Sequence, residues 1–184
     1  MGIKNIIEKE ESLQARPKSI KQMLKSVVAN QQMQAKRVPA GNDKIIFCFT
    51  DSKITDLGQF ASENIHERFK TINAVFIASY FEIWDRKDRK NFCLNKMYFH
   101  LYNVEEDRES KEYILLHTDP NDDDKTHGDY KRSPHLHIKN TSDDKIAHAH
   151  FSLNNTDYEK VMSSIEELDK CFTEHIKMLA NQIL

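Results

Sequence analysis

Glycine and proline are scarce in this chain, with four of each among 184 residues. No Gly-rich phosphate loop, dinucleotide-binding fingerprint or G-x-S-x-G elbow is present, so nucleotide-cofactor chemistry has no motif to rest on. Cysteine is equally sparse. Cys48, Cys93 and Cys171 are odd in number, far apart and without a C-x-x-C. That pattern argues for free thiols in a reducing compartment and against a disulfide framework or a cysteine zinc site. There is no apolar run of membrane-spanning length, and the opening MGIKNIIEKEESLQ lacks the apolar core of a signal peptide. It also places Ile6 where the myristoylation pattern requires Ser or Thr. The expectation is a cytoplasmic protein with no membrane attachment.

One further absence is local. No Asp or Glu falls between Ser12 and Asn42, while Arg16, Lys18, Lys21, Lys25, Lys36 and Arg37 all do, in a chain of formal net charge −2. The whole protein is therefore not a general polyanion binder, but this segment could hold phosphates through Lys18, Lys21, Lys25, Lys36 and Arg37. It contains no aromatic residue, so it offers nothing on which single-stranded bases could stack. A solvated helix face or a dock for an acidic protein is the other reading of such a charge run.

Apolar residues make up 39% and charged residues 30% of the chain, with 10 Phe, 6 Tyr and 1 Trp to build a core. That suits one domain of ordinary size with a helical appendage. Residues 3–15 read as helical. A second helix over 18–37 carries the basic charges and an apolar stripe at Ile20, Met23, Leu24, Val27 and Val28. The VPAGND segment at 38–43 reads as a break and marks a boundary between a basic N-terminal arm, 1–40, and a main domain, 41–184. IIFCFT at 45–50 is a β-type run, and the stretch from Thr55 to Phe69 has helical spacing. AVFIASYFEIW, NKMYFHLYNV and EYILLHT follow as strands separated by polar turns. A closing helix from about Asp157 to Ile183 keeps apolar residues on one face, which either covers the sheet or makes a homodimer. The fold class expected is α+β: an antiparallel meander with N-terminal helices and a long C-terminal helix packed on the sheet.

The chemistry concentrates in SPHLHIKNTSDDKIAHAHFSLN, residues 133–154, which holds two H-x-H pairs. Strand side chains alternate between faces. His135 and His137 therefore share one face, with Leu136 and Ile138 on the other, and His148 and His150 share a face opposite Ala147, Ala149 and Phe151. With TSDD as a four-residue loop, His137 would face His148 and His135 would face His150, their Cβ atoms about 4.5–5.5 Å apart. Four convergent neutral imidazoles suit zinc or a similar divalent transition metal. They equally suit acid–base chemistry on phosphate esters, since histidine titrates near neutrality. A plain polar strand face is the bland alternative. His117 and Asp119 end the preceding strand, His127 lies in the intervening loop, and Tyr98, His100 and Tyr102 share a face further back. Arg132 and His137 also fit the R-x-x-x-x-H pattern that HEPN ribonucleases carry on a helix, but Pro134 and the alternation put this one on a strand.

From 113 to 170 the order of features is a strand ending in Asp119, a loop with His127, then Pro134, His135 and His137, a strand ending HAHF, and a helix. Over about a third of the chain this resembles small prokaryotic proteins with a strand–Asp–His-rich hairpin–helix layout, some of which are described as toxins of toxin–antitoxin pairs. Those toxins usually have Tyr-Asp-Asn where this chain has His117-Thr118-Asp119. The resemblance implies a nucleic-acid-directed effector of a bacterial toxin–antitoxin or defence-type system, paired with a partner protein. His135, His137, His148 and His150 would act as metal ligands or acid–base groups, with Asp119 and His127 assisting. The reading from a different class is a non-catalytic subunit of a multi-protein complex, in which the histidines hold a structural metal or form only a polar face.

Overall fold

A computed structural model describes residues 5–29, 33–39, 41, 43–50, 68–104, 110–120, 132–138, 149–153 and 158–184. Among these residues nine strands form one sheet: β1 Ile7–Lys9, β2 Gln34–Pro39, β3 Lys44–Thr50, β4 Phe69–Lys70, β5 Phe76–Arg86, β6 Asn91–Val104, β7 Ser110–Thr118, β8 His135–Ile138 and β9 Ala149–Ser152. The order across the sheet is β2-β3-β5-β6-β7-β8-β9, every neighbour antiparallel, with β1 pairing with β6 and β4 with β5. The helices are α1 Arg16–Met23, the single turn α2 Tyr158–Val161, and α3 Ile165–Ile183, with 3-10 turns on either side of α1. The α+β architecture read from the sequence is the architecture observed. Among the described residues no helix is long and apolar enough to cross a membrane.

β3 and the strands from β5 onward follow the sequence signals, because their aromatic and β-branched residues fit a pleated, buried surface. The N-terminal expectations need correction. The helix expected over 3–15 is not found among the described residues 5–15: Ile7–Lys9 pairs with Asn91–Cys93 of β6, and Ser12–Ala15 coils as a 3-10 turn. The second helix does not run to residue 37. It starts with Pro17 in its first turn, where proline is tolerated, and helical geometry ends at Ser26. Lys36 and Arg37 instead lie in β2, opposite Cys48 and Phe47 of β3. Sheet pairing overrides local propensity at both places. In the VPAGND segment Val38 and Pro39 end β2 and Asp43 precedes β3, and Gly41 between them takes the left-handed φ of +81° that only glycine adopts freely. The closing helix is shorter than expected, since α2 stops at Val161 and Ser164 caps α3, its Oγ accepting from the Glu167 N–H. The helix expected from Thr55 lies outside the described residues up to 67, and Phe69 belongs to β4.

The two sheet faces have different jobs. One carries Phe47, Phe49, Tyr80, Trp84, Met97, Phe99, Leu101, Ile114 and Leu116 into a core closed by Ile20, Met23 and Leu24 of the α1 segment and by Leu168, Phe172 and Ile176 of α3. The other carries a smaller apolar cluster of Ile46, Cys48, Phe81 and Ile83 with Tyr98 against it, and beside that cluster the histidines.

Inside the helix-covered core sits a charge network. Glu82 of β5 is fully buried and accepts four hydrogen bonds: from Arg16 Nε at 2.9 Å and Nη2 at 2.6 Å, from the Tyr80 hydroxyl at 2.7 Å, and from the Trp84 indole at 2.9 Å. Arg16 also grips Asp169 of α3, through Nη1 at 2.6 Å and Nη2 at 3.0 Å. Burial alone would lower the Arg16 pKa, but Glu82 and then Asp169 outweigh it and hold it well above its ordinary value. Burial pushes the Asp169 carboxyl up, with Arg16 opposing. Removing one partner of such a pair strands the other charge in the interior. Glu82→Ala should therefore cost on the order of 3–5 kcal/mol in urea-unfolding free energy. In a double-mutant cycle Arg16→Met should cost much less when Glu82 is already Ala, whereas additive losses would mean the pair is not coupled.

Candidate metal centre

The histidine site is made by three adjacent strands on the face away from the helices. Tyr98 of β6 pairs with His117 of β7, and His117 pairs with His135 of β8. Directly paired residues of an antiparallel sheet point the same way, so the three rings form a row. His137 stands two residues along from His135, on the same side. The ring centroids of His117 lie 3.9 Å from His135 and 4.5 Å from His137, and those of His135 and His137 are 4.9 Å apart. One ring nitrogen from each of the three falls within 4.8 Å of the others. The Nε2 atoms of His117 and His137 are 2.9 Å apart. His135 is 1% and His117 5% exposed, while His137 is half-buried.

The outer nitrogens are tied down. His117 Nδ1 lies 3.1 Å from Asp119 Oδ2, and the Tyr98 hydroxyl donates to both Asp119 oxygens, at 2.7 and 2.9 Å. His135 Nδ1 lies 2.8 Å from the Ser133 carbonyl oxygen. Thr118 Oγ1 donates to the Arg132 carbonyl at 2.7 Å, which joins the end of β7 to the segment leading into β8. An ionised carboxylate and a carbonyl only accept. Both Nδ1 atoms therefore donate, which in a neutral ring leaves the Nε2 lone pair of His117 and of His135 available. Burial alone would raise the Asp119 carboxyl, but hydrogen bonds from His117 and Tyr98 outweigh it and hold it below the usual carboxylate range.

Such a group fits a divalent transition ion. Neutral imidazole is a zinc, copper, iron or nickel ligand, and metal-binding histidines commonly donate their other N–H to a carboxylate or a backbone carbonyl. Two zinc-bound nitrogens at tetrahedral corners, each about 2.0–2.1 Å from the ion, stand roughly 3.3 Å apart, close to the separation of His117 and His137.

Sequence reasoning placed His135, His137 and Asp119 correctly in one neighbourhood but misjudged the hairpin register. His135 faces Ser152 and His137 faces His150, in place of the expected His135–His150 and His137–His148 pairs. The shift is two residues, and a shift of two leaves every side chain on its original face, so the apolar pattern could not detect it. His148 and His127 lie outside the described residues. The third imidazole is His117, which the sequence suggested only as a neighbour; its signal was the H-x-D spacing to Asp119 at a strand end.

The basic residues divide between locations. Lys18, Lys21 and Lys25, with Gln22 and Val28, line a groove of about 740 Å³ on the helix side of the sheet, the side opposite the histidines. Arg37 donates to Glu10 Oε1 at 2.9 Å from β2, and Lys36 is the preceding residue of that strand. No protein-family model, curated protein or solved structure matches the chain.

The depressed Asp119 pKa has a sign. A carboxyl held lower in the folded state stabilises the fold above its unfolded pKa, about 3.9, and that contribution is lost as pH falls through the folded value. Thermal unfolding followed from pH 7 to pH 2 should show Asp119→Asn closing on the wild type in acid. A constant gap between the two would contradict the assignment.

Proposed function

We propose that the protein is a metal-dependent hydrolase acting on nucleic-acid phosphodiesters, an effector paired with a partner protein in a toxin–antitoxin or defence-type system. The observation that carries this reading is the convergence of His117, His135 and His137, with ring nitrogens within 4.8 Å of one another. Three protein ligands with one position left for water or substrate is the arrangement of catalytic zinc. A bound divalent ion supplies Lewis acidity toward a phosphoryl oxygen. The effector role is supported by the layout around Asp119, Pro134, His135 and His137. The nucleic-acid target draws on the Lys18, Lys21 and Lys25 groove.

Metal content per chain, measured by elemental mass spectrometry on protein prepared without a histidine tag, tests the first step. The expected result is about one ion in the wild type and none in a folded His135→Ala/His137→Ala variant, with nuclease activity present only in the former. A metal-free wild type would remove the reading. The groove has its own test. If three lysines meet phosphates of duplex DNA, log K should fall against log salt with a slope of roughly −2.7 and flatten in the Lys18→Gln/Lys21→Gln/Lys25→Gln variant. An unchanged slope in that variant would take the phosphate role away from the groove.

The near-complete burial of His135 and His117 favours a second reading, a structural metal in a non-catalytic subunit. Chelation separates the two. A structural ion takes the fold with it, whereas a catalytic ion leaves a folded, inactive protein.

A further inference from the structure

Resting on the metal reading above, we infer that Tyr98 and Asp119 are positioning residues of the histidine centre. They fix the His117 ring as its Nδ1–H tautomer and so present its Nε2 lone pair to a divalent ion of the class that prefers imidazole nitrogen over oxygen ligands.

The geometry is specific at each link. Tyr98 stands directly across from His117 in the β6–β7 pairing, so its ring packs edge-on against the imidazole, centroids 4.6 Å apart. Its hydroxyl reaches past that ring to both oxygens of Asp119, at 2.7 and 2.9 Å. A carboxylate gripped at both oxygens cannot rotate freely, and the one nearer the histidine, Oδ2, lies 3.1 Å from His117 Nδ1. Asp119 is 8% exposed, so little water competes for that contact. An imidazole without such an acceptor can carry its proton on either nitrogen. Here the proton is confined to Nδ1, and Nε2 points toward His137 Nε2 at 2.9 Å.

The neighbouring ring is fixed by different means. The Ser133 carbonyl, 2.8 Å from His135 Nδ1, does for His135 what Asp119 does for His117. The two devices are not equivalent. Both acceptors raise the basicity of the ring they orient, the charged carboxylate more than the neutral carbonyl. The His117 arm should therefore govern affinity. Three neutral nitrogens favour zinc, cobalt or nickel and do little for magnesium or calcium.

The test uses the full chain, with zinc and magnesium as probes in a chelator competition, and compares wild type with Tyr98→Phe and Asp119→Asn. Nitrogen-15 NMR of the ion-free proteins reads the His117 tautomer directly. The expected wild type binds zinc and ignores magnesium, and its His117 carries the proton on Nδ1. Tyr98→Phe should keep the wild-type circular dichroism and melting behaviour yet lose about 10- to 100-fold in zinc affinity. Asp119→Asn should lose at least as much and shift the tautomer toward Nε2–H. If Asp119→Asn fails to fold, Tyr98→Phe decides alone. Wild-type zinc binding with undiminished affinity in folded Tyr98→Phe overturns the positioning role and leaves the metal centre standing. A wild type that binds no zinc overturns both.

Discussion

Arg16 is held in the interior by two carboxylates from elements distant in sequence, Glu82 on β5 and Asp169 on α3. Without them a guanidinium at that depth would be intolerable, and without the guanidinium neither Glu82 nor Asp169 would belong there. The network fastens the N-terminal helix, the closing helix and the central strand to one another. It also decides which way β5 faces. With Glu82 turned toward the helices beside Tyr80 and Trp84, Phe81 and Ile83 must turn away. Antiparallel pairing transmits that choice outward: Phe81 faces Tyr98, Tyr98 faces His117, and His117 faces His135. The placement of the histidines on the face of the sheet away from α1 and α3 is thus the far end of a parity set at Glu82.

The centre itself is a product of strand geometry. Cross-strand pairs bring side chains from β6, β7 and β8 to the spacing that ring contacts and metal ligation both require. A ladder of rings continues behind it. His100 stacks at 5.9 Å on Phe81 and at 5.7 Å on Tyr102, and Arg68 sits 4.4 Å above Tyr102. These side chains are mostly buried and give Tyr98 a rigid flank. The basic groove is on the other side of the sheet, so a nucleic acid held by Lys18, Lys21 and Lys25 must reach around the domain to meet the histidines. Binding and chemistry would then be separable functions of the two faces.

What could be read from the residues follows the same physics. The strands β3 and β5 to β8 and the division of H-x-H into a polar and an apolar face were legible because a period of two is written in the side chains themselves, whereas Phe69 of β4 read as the end of a helix. The hairpin register was not, since a slip of two preserves that period. Lys36 and Arg37 looked helical because nothing local announces that β3 needs a partner. Glu82 lay unnoticed in an otherwise apolar run, and Arg16, which bridges it to Asp169, lies 66 positions from Glu82 and 153 from Asp169, beyond any local window of the sequence. His117 was visible as a neighbour of the hairpin, but its place beside the His135 and His137 rings depends on the β7–β8 pairing. Tyr98 was visible only as one of three aromatic residues on a face; its grip on Asp119 needed the fold.

The central claim is that His117, His135 and His137 hold one ion. X-ray absorption at the metal edge of the zinc-loaded protein examines that claim at the atoms concerned. The expected spectrum has a nitrogen or oxygen shell at about 2.0–2.1 Å with the outer-shell scattering of three imidazoles and no sulfur, reduced to two imidazoles in His117→Ala. A shell with sulfur, or with fewer imidazoles in the wild type, would place the ion elsewhere and contradict it.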